Sequence, residues 1–144
     1  MSFPVVPERR THVPWATRLL ARAAVTAAWF LIRLSPARLR RVLTTAARGA
    51  RPATREEALR GRRAVVSVSS RCAGQGCLQR SVATVLLCRA RGTWPDWCTG
   101  VRTQPFRAHA WVEAAGRPVG EGEDVQYFRT LMRVSAATGS RRNA

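Results

Sequence analysis

The run Gly74-Gln75-Gly76-Cys77, leading into Leu78-Gln79-Arg80-Ser81, and the later Ala108-His109-Ala110-Trp111-Val112-Glu113 constrain this chain more than any other feature. Glycines at 74 and 76 let the backbone turn sharply onto a helix predicted from Cys77 to about Arg89, with Leu78, Val82, Val85 and Leu86 as its buried stripe. The second stretch alternates at a period of two and reads as a strand. It puts His109, Trp111 and Glu113 on one face and Ala108, Ala110 and Val112 on the other. A thiol at a helix N-terminus feels the positive end of the helix dipole, which favours thiolate. An imidazole on an adjacent strand then holds the ion pair and shuttles a proton. Only two histidines are present. The other, His12, lies in a proline-bearing N-terminal segment, so His109 is the expected partner of Cys77.

Helices precede this pair. Residues 1–14 hold Pro4, Pro7 and Pro14 and are expected to be loose. From Thr17 to Leu34, the positions Leu20, Ala23, Ala24, Ala27, Leu31 and Leu34 recur at helical spacing opposite Arg18, Arg22 and Arg33. Ser35-Pro36 predicts an N-cap with proline in the first turn of a second helix, which Gly49 ends. Thr54-Arg55-Glu56-Glu57 predicts a capping box for a third helix fading near Val68, followed by a linker from Ser69 to Gly76. Beyond the Cys77 helix, Trp97 to Arg102 and Ala108 to Ala114 read as strands, with a turn at Pro105 between them. Ala115-Gly116 forms a hairpin into Arg117 to Val119, and Val125 to Val134 is a last strand or short helix. The tail from Ala136 is expected to be disordered. This order is α+β: a basic helical segment over residues 1–60, expected to dock a partner or the precursor, a core over 61–135 with a small antiparallel sheet, and a tail over 136–144.

Net charge is +17, and all 25 basic residues are arginine. Such a surface suits an acidic peptide or protein, nucleic acid or a membrane, and equally reflects an arginine-rich codon bias. No nucleic-acid motif is recognisable, and the single Tyr and four Phe are not spaced as a stacking platform. The apolar run Ala23 to Ile32 is too short to span a bilayer, and no cleavage site follows it, so neither secretion nor membrane insertion is expected. The cysteines Cys72, Cys77, Cys88 and Cys98 are read as reduced and cytoplasmic. A Cys3His zinc site from Cys72, Cys77, Cys98 and His109 has the wrong spacing, so no metal or cofactor is expected.

Hydrolysing an amide requires a nucleophile, a proton carrier and oxyanion donors. Cys77 and His109 supply the first two. The backbone N–H of Cys77 is an expected oxyanion donor because the first amides of a helix point outward, and the Gln75 side chain is a candidate second donor. A carboxylate must hold the far nitrogen of the imidazole. After the hairpin the chain returns antiparallel, so residues just past Val119 reach the start of the His109 strand. Glu121 fits best, with Asp124 as the alternative. Glu113 shares the histidine's face but stands roughly 13 Å along the strand.

Taken together, Cys77-Leu78-Gln79-Arg80-Ser81, Gly100-Val101-Arg102, Pro105-Phe106, Ala108-His109-Ala110-Trp111-Val112-Glu113 and Gly116-Arg117 resemble the leader peptidase of lasso-peptide biosynthesis. The resemblance implies a papain/transglutaminase-like core and a Cys-His-Asp triad that cuts the leader from a ribosomal precursor peptide. Where the triad carboxylate aligns, this chain has Glu121, with Asp124 just beyond it. No segment resembles a leader-binding winged helix. The resemblance therefore also implies a separate small leader-recognition protein, and a lasso cyclase that consumes the freed amine. An acyltransferase on the same core, or a basic non-enzymatic binding module, are the competing readings.

Overall fold

A computed structural model describes residues 12–136. The expected tail, apart from Ala136, and residues 1–11 of the expected loose segment lie outside the described residues. Helix α1 (Trp15–Leu31) follows Pro14 and turns its Ala21, Ala24 and Ala28 inward. This stripe is rotated from the predicted one, and Leu20 is left exposed together with Trp15, Leu19 and Phe30. The reason is packing: α1 lies against two other helices, and methyl-sized side chains fit such a contact where leucines do not. Helix α2 (Pro36–Ala47) starts as predicted, with Ser35 Oγ accepting from the Arg38 N–H at 3.4 Å.

A two-residue strand β1 (Arg51–Pro52) comes next, and then α3 (Arg55–Val68). Thr54 and Glu57 make the predicted reciprocal capping box. The boundary expected between residues 60 and 61 falls inside α3, and one hydrophobic cluster joins Ala24, Leu43, Val65, Val82, Trp97 and Val112. The N-terminal helices thus belong to the same core as the rest. The predicted linker also contains a short helix, α4 (Ser70–Ala73), because Ser69 Oγ caps it by accepting from the Cys72 N–H at 3.2 Å.

Helix α5 (Cys77–Ala90) forms the middle of the molecule, touched by α1 and α3 and by the sheet. Burial is not confined to one stripe. Leu78 and Leu86 are only partly buried, while Gln79, Arg80, Ser81 and Thr84 are buried with the valines. A helix walled in on several sides has no solvent face to give polar residues, so each must find a partner. Gln79 Nε2 donates to Val25 O on α1 (3.2 Å), and Ser81 Oγ accepts from Trp97 Nε1 (3.0 Å).

Strand β2 (Thr93–Trp94) pairs in parallel with β1. The main sheet is antiparallel in the order β5-β4-β3-β6, from β3 (Asp96–Arg102), β4 (Arg107–Ala114), β5 (Arg117–Pro118) and β6 (Arg129–Val134). The segment after β5 carries a 3-10 turn (Glu123–Tyr127) before β6, so the stretch from Val125 holds both of the alternatives read from sequence. Gly100 pairs with His109 in the β3–β4 register, and the β3–β6 register shifts between Thr99 and Gly100. A Cβ at Gly100 would stand 2.5 Å from Arg129 O and 2.8 Å from the Trp111 ring, so only glycine lets the strands close there. Among the described residues no helix is long and apolar enough to cross a membrane.

Candidate active site

Cys77, the first residue of α5, is half-buried and shares the wall of one cavity with His109 and Ala110 of β4, both of which act to lower its thiol. His109 Nε2 lies 2.9 Å from Glu121 Oε2, which leaves the other ring nitrogen for the sulfur. The imidazole is fixed on its flanks as well. It stacks on Trp111 with ring centroids 5.8 Å apart and planes within 14°, and Phe128 stands 5.5 Å away. Trp111 Nε1 in turn donates to Glu113 Oε1 (3.0 Å), and Arg133 Nη1 donates to Glu113 Oε2 (2.8 Å). Glu113 therefore steadies the tryptophan beneath the imidazole and does not touch the imidazole itself.

Glu121 reaches His109 because the chain turns at Gly120, whose φ of +68° is open to glycine and whose missing side chain leaves room for Arg62; a Cβ there would sit 2.7 Å from Arg62 Cδ. The carboxylate is almost wholly buried, and Arg62 Nη2 and Arg80 Nη2 each stand 3.9 Å from its second oxygen. Asp124, the alternative, sits exposed on the 3-10 turn at the rim of the same cavity. The structure thus brings together Cys77, His109 and Glu121, and leaves Asp124 aside.

Burial pushes the Cys77 thiol up. The hydrogen bonds from His109 and the Ala110 backbone, with the positive charges of His109 and Arg80, outweigh it and hold the thiol below its ordinary 9.0. Burial pushes His109 down, but Cys77 and Glu121 overcome that and bring the imidazolium up to about 9. The three remaining thiols behave in the opposite way: burial raises Cys72, raises Cys88 to about 11 and raises Cys98 to about 12. All four cysteines are free. Among the described residues no group of three His, Cys, Asp or Glu side chains is arranged to hold a metal.

The oxyanion expectation meets a different local geometry. The Cys77 N–H donates to Gln75 O at 2.9 Å, closing an inverse γ-turn about Gly76 (φ −78°, ψ 53°). The amide expected to face an oxyanion is therefore engaged within its own loop, and Gln75 is exposed at the cavity edge. Arg80 and Arg62 are the site residues that sequence reasoning missed. Arg80 Nη1 donates to Cys72 O (3.1 Å) and Gly74 O (3.2 Å), so one guanidinium ties the loop before the thiol to the neighbourhood of Glu121. The available signal was a cation one helical turn past Cys77, inside an otherwise uncharged stretch of helix.

A thiol at the start of a central helix, with an imidazole and a buried carboxylate on the adjoining sheet, defines an α+β protein of the papain and transglutaminase type. Residues 21–133 match the Transglutaminase-like superfamily, and the chain belongs to it. No curated protein and no solved structure gives a significant match to the chain.

Proposed function

We propose that this chain is a thiol peptidase that removes the leader from a ribosomal lasso-peptide precursor. The observation that carries the reading is the 2.9 Å contact of His109 with a buried Glu121, in a cavity whose wall also includes Cys77. In the reaction, the Cys77 thiolate attacks the carbonyl carbon after the last leader residue and a C–S bond forms. Collapse of the tetrahedral intermediate breaks the C–N bond, and His109 gives its proton to the departing amine of the core peptide. Neutral His109 then takes a proton from water, which attacks the thioester; the leader leaves with a carboxylate and the thiol is restored. Glu121 holds the ring in the required tautomer and stabilises the imidazolium in both half-reactions. Release of the Cys77 N–H from Gln75 O would free it for the oxyanion.

The partners in this reading are the precursor peptide, a separate small protein that grips the leader, and a lasso cyclase that uses the new amine. We place the reaction in the cytoplasm, where the nucleophile stays reduced. Acyl transfer to an amine, the chemistry after which the superfamily is named, uses the same residues and differs only in the acceptor. Incubating the purified chain with precursor and recognition partner should yield, by mass spectrometry, a core with a free N-terminus and a leader with a free C-terminal carboxylate, together one water heavier than the precursor. A Cys77→Ala chain should yield neither. Cross-linked or amine-acylated product would favour the transferase, and undiminished cleavage by Cys77→Ala would end the assignment.

A further inference from the structure

Two cavities meet at the reactive pair. Cys77, Ala108 and His109 form part of the wall of both. One, of about 340 Å³, is polar and holds Gln75, Arg80, Arg107, Glu121 and Asp124. The other, of about 450 Å³, is a groove between the α1–α2 connection and the β3–β6 edge of the sheet, with walls built from Ile32, Leu34, Leu39, Leu78, Leu131 and Met132. We propose that this groove is the subsite for an apolar side chain of the substrate peptide lying next to the bond that Cys77 attacks. The proposal rests on the reading of Cys77 as a nucleophile and adds to it a substrate class: peptides with an aliphatic or aromatic residue beside the cut.

Three observations carry it. The groove opens directly onto the thiol, so a group bound there is at most a few bonds from the reacting atom. Its contrast with the cavity on the other side of Cys77 is chemical, charged groups against hydrocarbon, so a peptide lying across the thiol meets different demands on its two sides. Finally, Leu131 forms part of the wall while remaining 62% exposed on the edge strand β6. Nothing in the core requires a leucine there, whereas an apolar ligand in the groove would cover it. Burying each further methylene of a ligand in such a groove is worth up to ~4-fold in binding or rate.

N-alkylmaleimides test this without knowledge of the natural substrate, since the thiolate adds to the ring carbon and the alkyl group must then find room beside Cys77. The other thiols are buried and raised, so labelling reports Cys77, with Cys77→Ser as the check. The quantity read is the rate with N-pentylmaleimide divided by that with N-methylmaleimide, which cancels changes in thiol reactivity. Relative to the same ratio for glutathione, the protein's is expected to be at least ~10-fold higher. Leu131→Asp, and independently Leu34→Asp, should bring it back towards that of glutathione, while Leu131→Met should keep it. A fast-reacting Cys77 with a glutathione-like ratio, or a high ratio untouched by both Leu131→Asp and Leu34→Asp, would overturn the subsite and leave the nucleophile standing. A Cys77 no faster than glutathione towards the methyl reagent at neutral pH would remove the nucleophile, and the subsite with it.

Discussion

At the scale of single residues, the site depends on how Cys77 and His109 shift one another. With the thiol held below its ordinary 9.0 and the imidazolium raised to about 9, a thiolate–imidazolium pair is the expected state between the two. Activity should rise as pH climbs through the lowered thiol value and fall as pH rises through about 9, where His109 loses the proton it must donate. Glu121→Gln removes one of the groups raising His109, so the alkaline limb should move to lower pH. His109→Ala removes the hydrogen bond and charge that lower the thiol. Iodoacetamide labelling of Cys77 at pH 7 should then slow by about tenfold for each unit the thiol climbs back, and turnover should fall by ~10²-fold or more. Rates of labelling and cleavage measured from pH 5 to 10 check both limbs. An unchanged labelling profile in His109→Ala would mean that the pair is not formed.

At the scale of elements, Gly100 decides whether the sheet edge closes beside the site. Because its Cβ position lies 2.5 Å from Arg129 O and 2.8 Å from Trp111, Gly100→Val must push β6 away or turn the tryptophan that stacks on His109. A loss of about 1–3 kcal/mol in denaturant unfolding is expected. So is slower Cys77 labelling, since the imidazole loses its platform. Much at this scale was legible in the sequence. The caps at Ser35 and Thr54, the start of α5 at Cys77, the β4 alternation and the hairpin at Ala115-Gly116 are local signals, each readable within a few residues. The hairpin also brought Glu121 within reach of His109, by simple strand arithmetic. What was not legible depends on distant neighbours. The face that α1 buries is set by the helices it packs on. Among the buried polar residues of α5, the Gln79 amide nitrogen, Arg80 and the Ser81 hydroxyl find partners in Val25, the Cys72–Gly74 loop and Trp97, all outside the helix. The γ-turn at Gly76 removes the oxyanion donor through one carbonyl, and no spacing rule announces it.

At the scale of the whole molecule, the basic helices of the expected docking segment and the core that follows it share one hydrophobic cluster. Ala21, Ala24 and Ala28 of α1 are buried, Gln79, two residues past Cys77, is anchored to Val25 O, and Ile32 and Leu34 wall the groove beside Cys77. The helices over residues 1–60 therefore hold α5 and the site in place, whatever they do towards a partner. A structure with one shared core should unfold in one step. Far-UV circular dichroism, which reports mainly the helices, and fluorescence of the buried Trp94 and Trp97 should give coincident denaturant curves. A chain beginning at residue 35 should show no cooperative transition, because removing α1 uncovers the apolar side of α5 and strands the Gln79 amide. Two separated transitions, or a truncated chain that melts sharply and still labels rapidly at Cys77, would support a two-part division and make α1 an appendage.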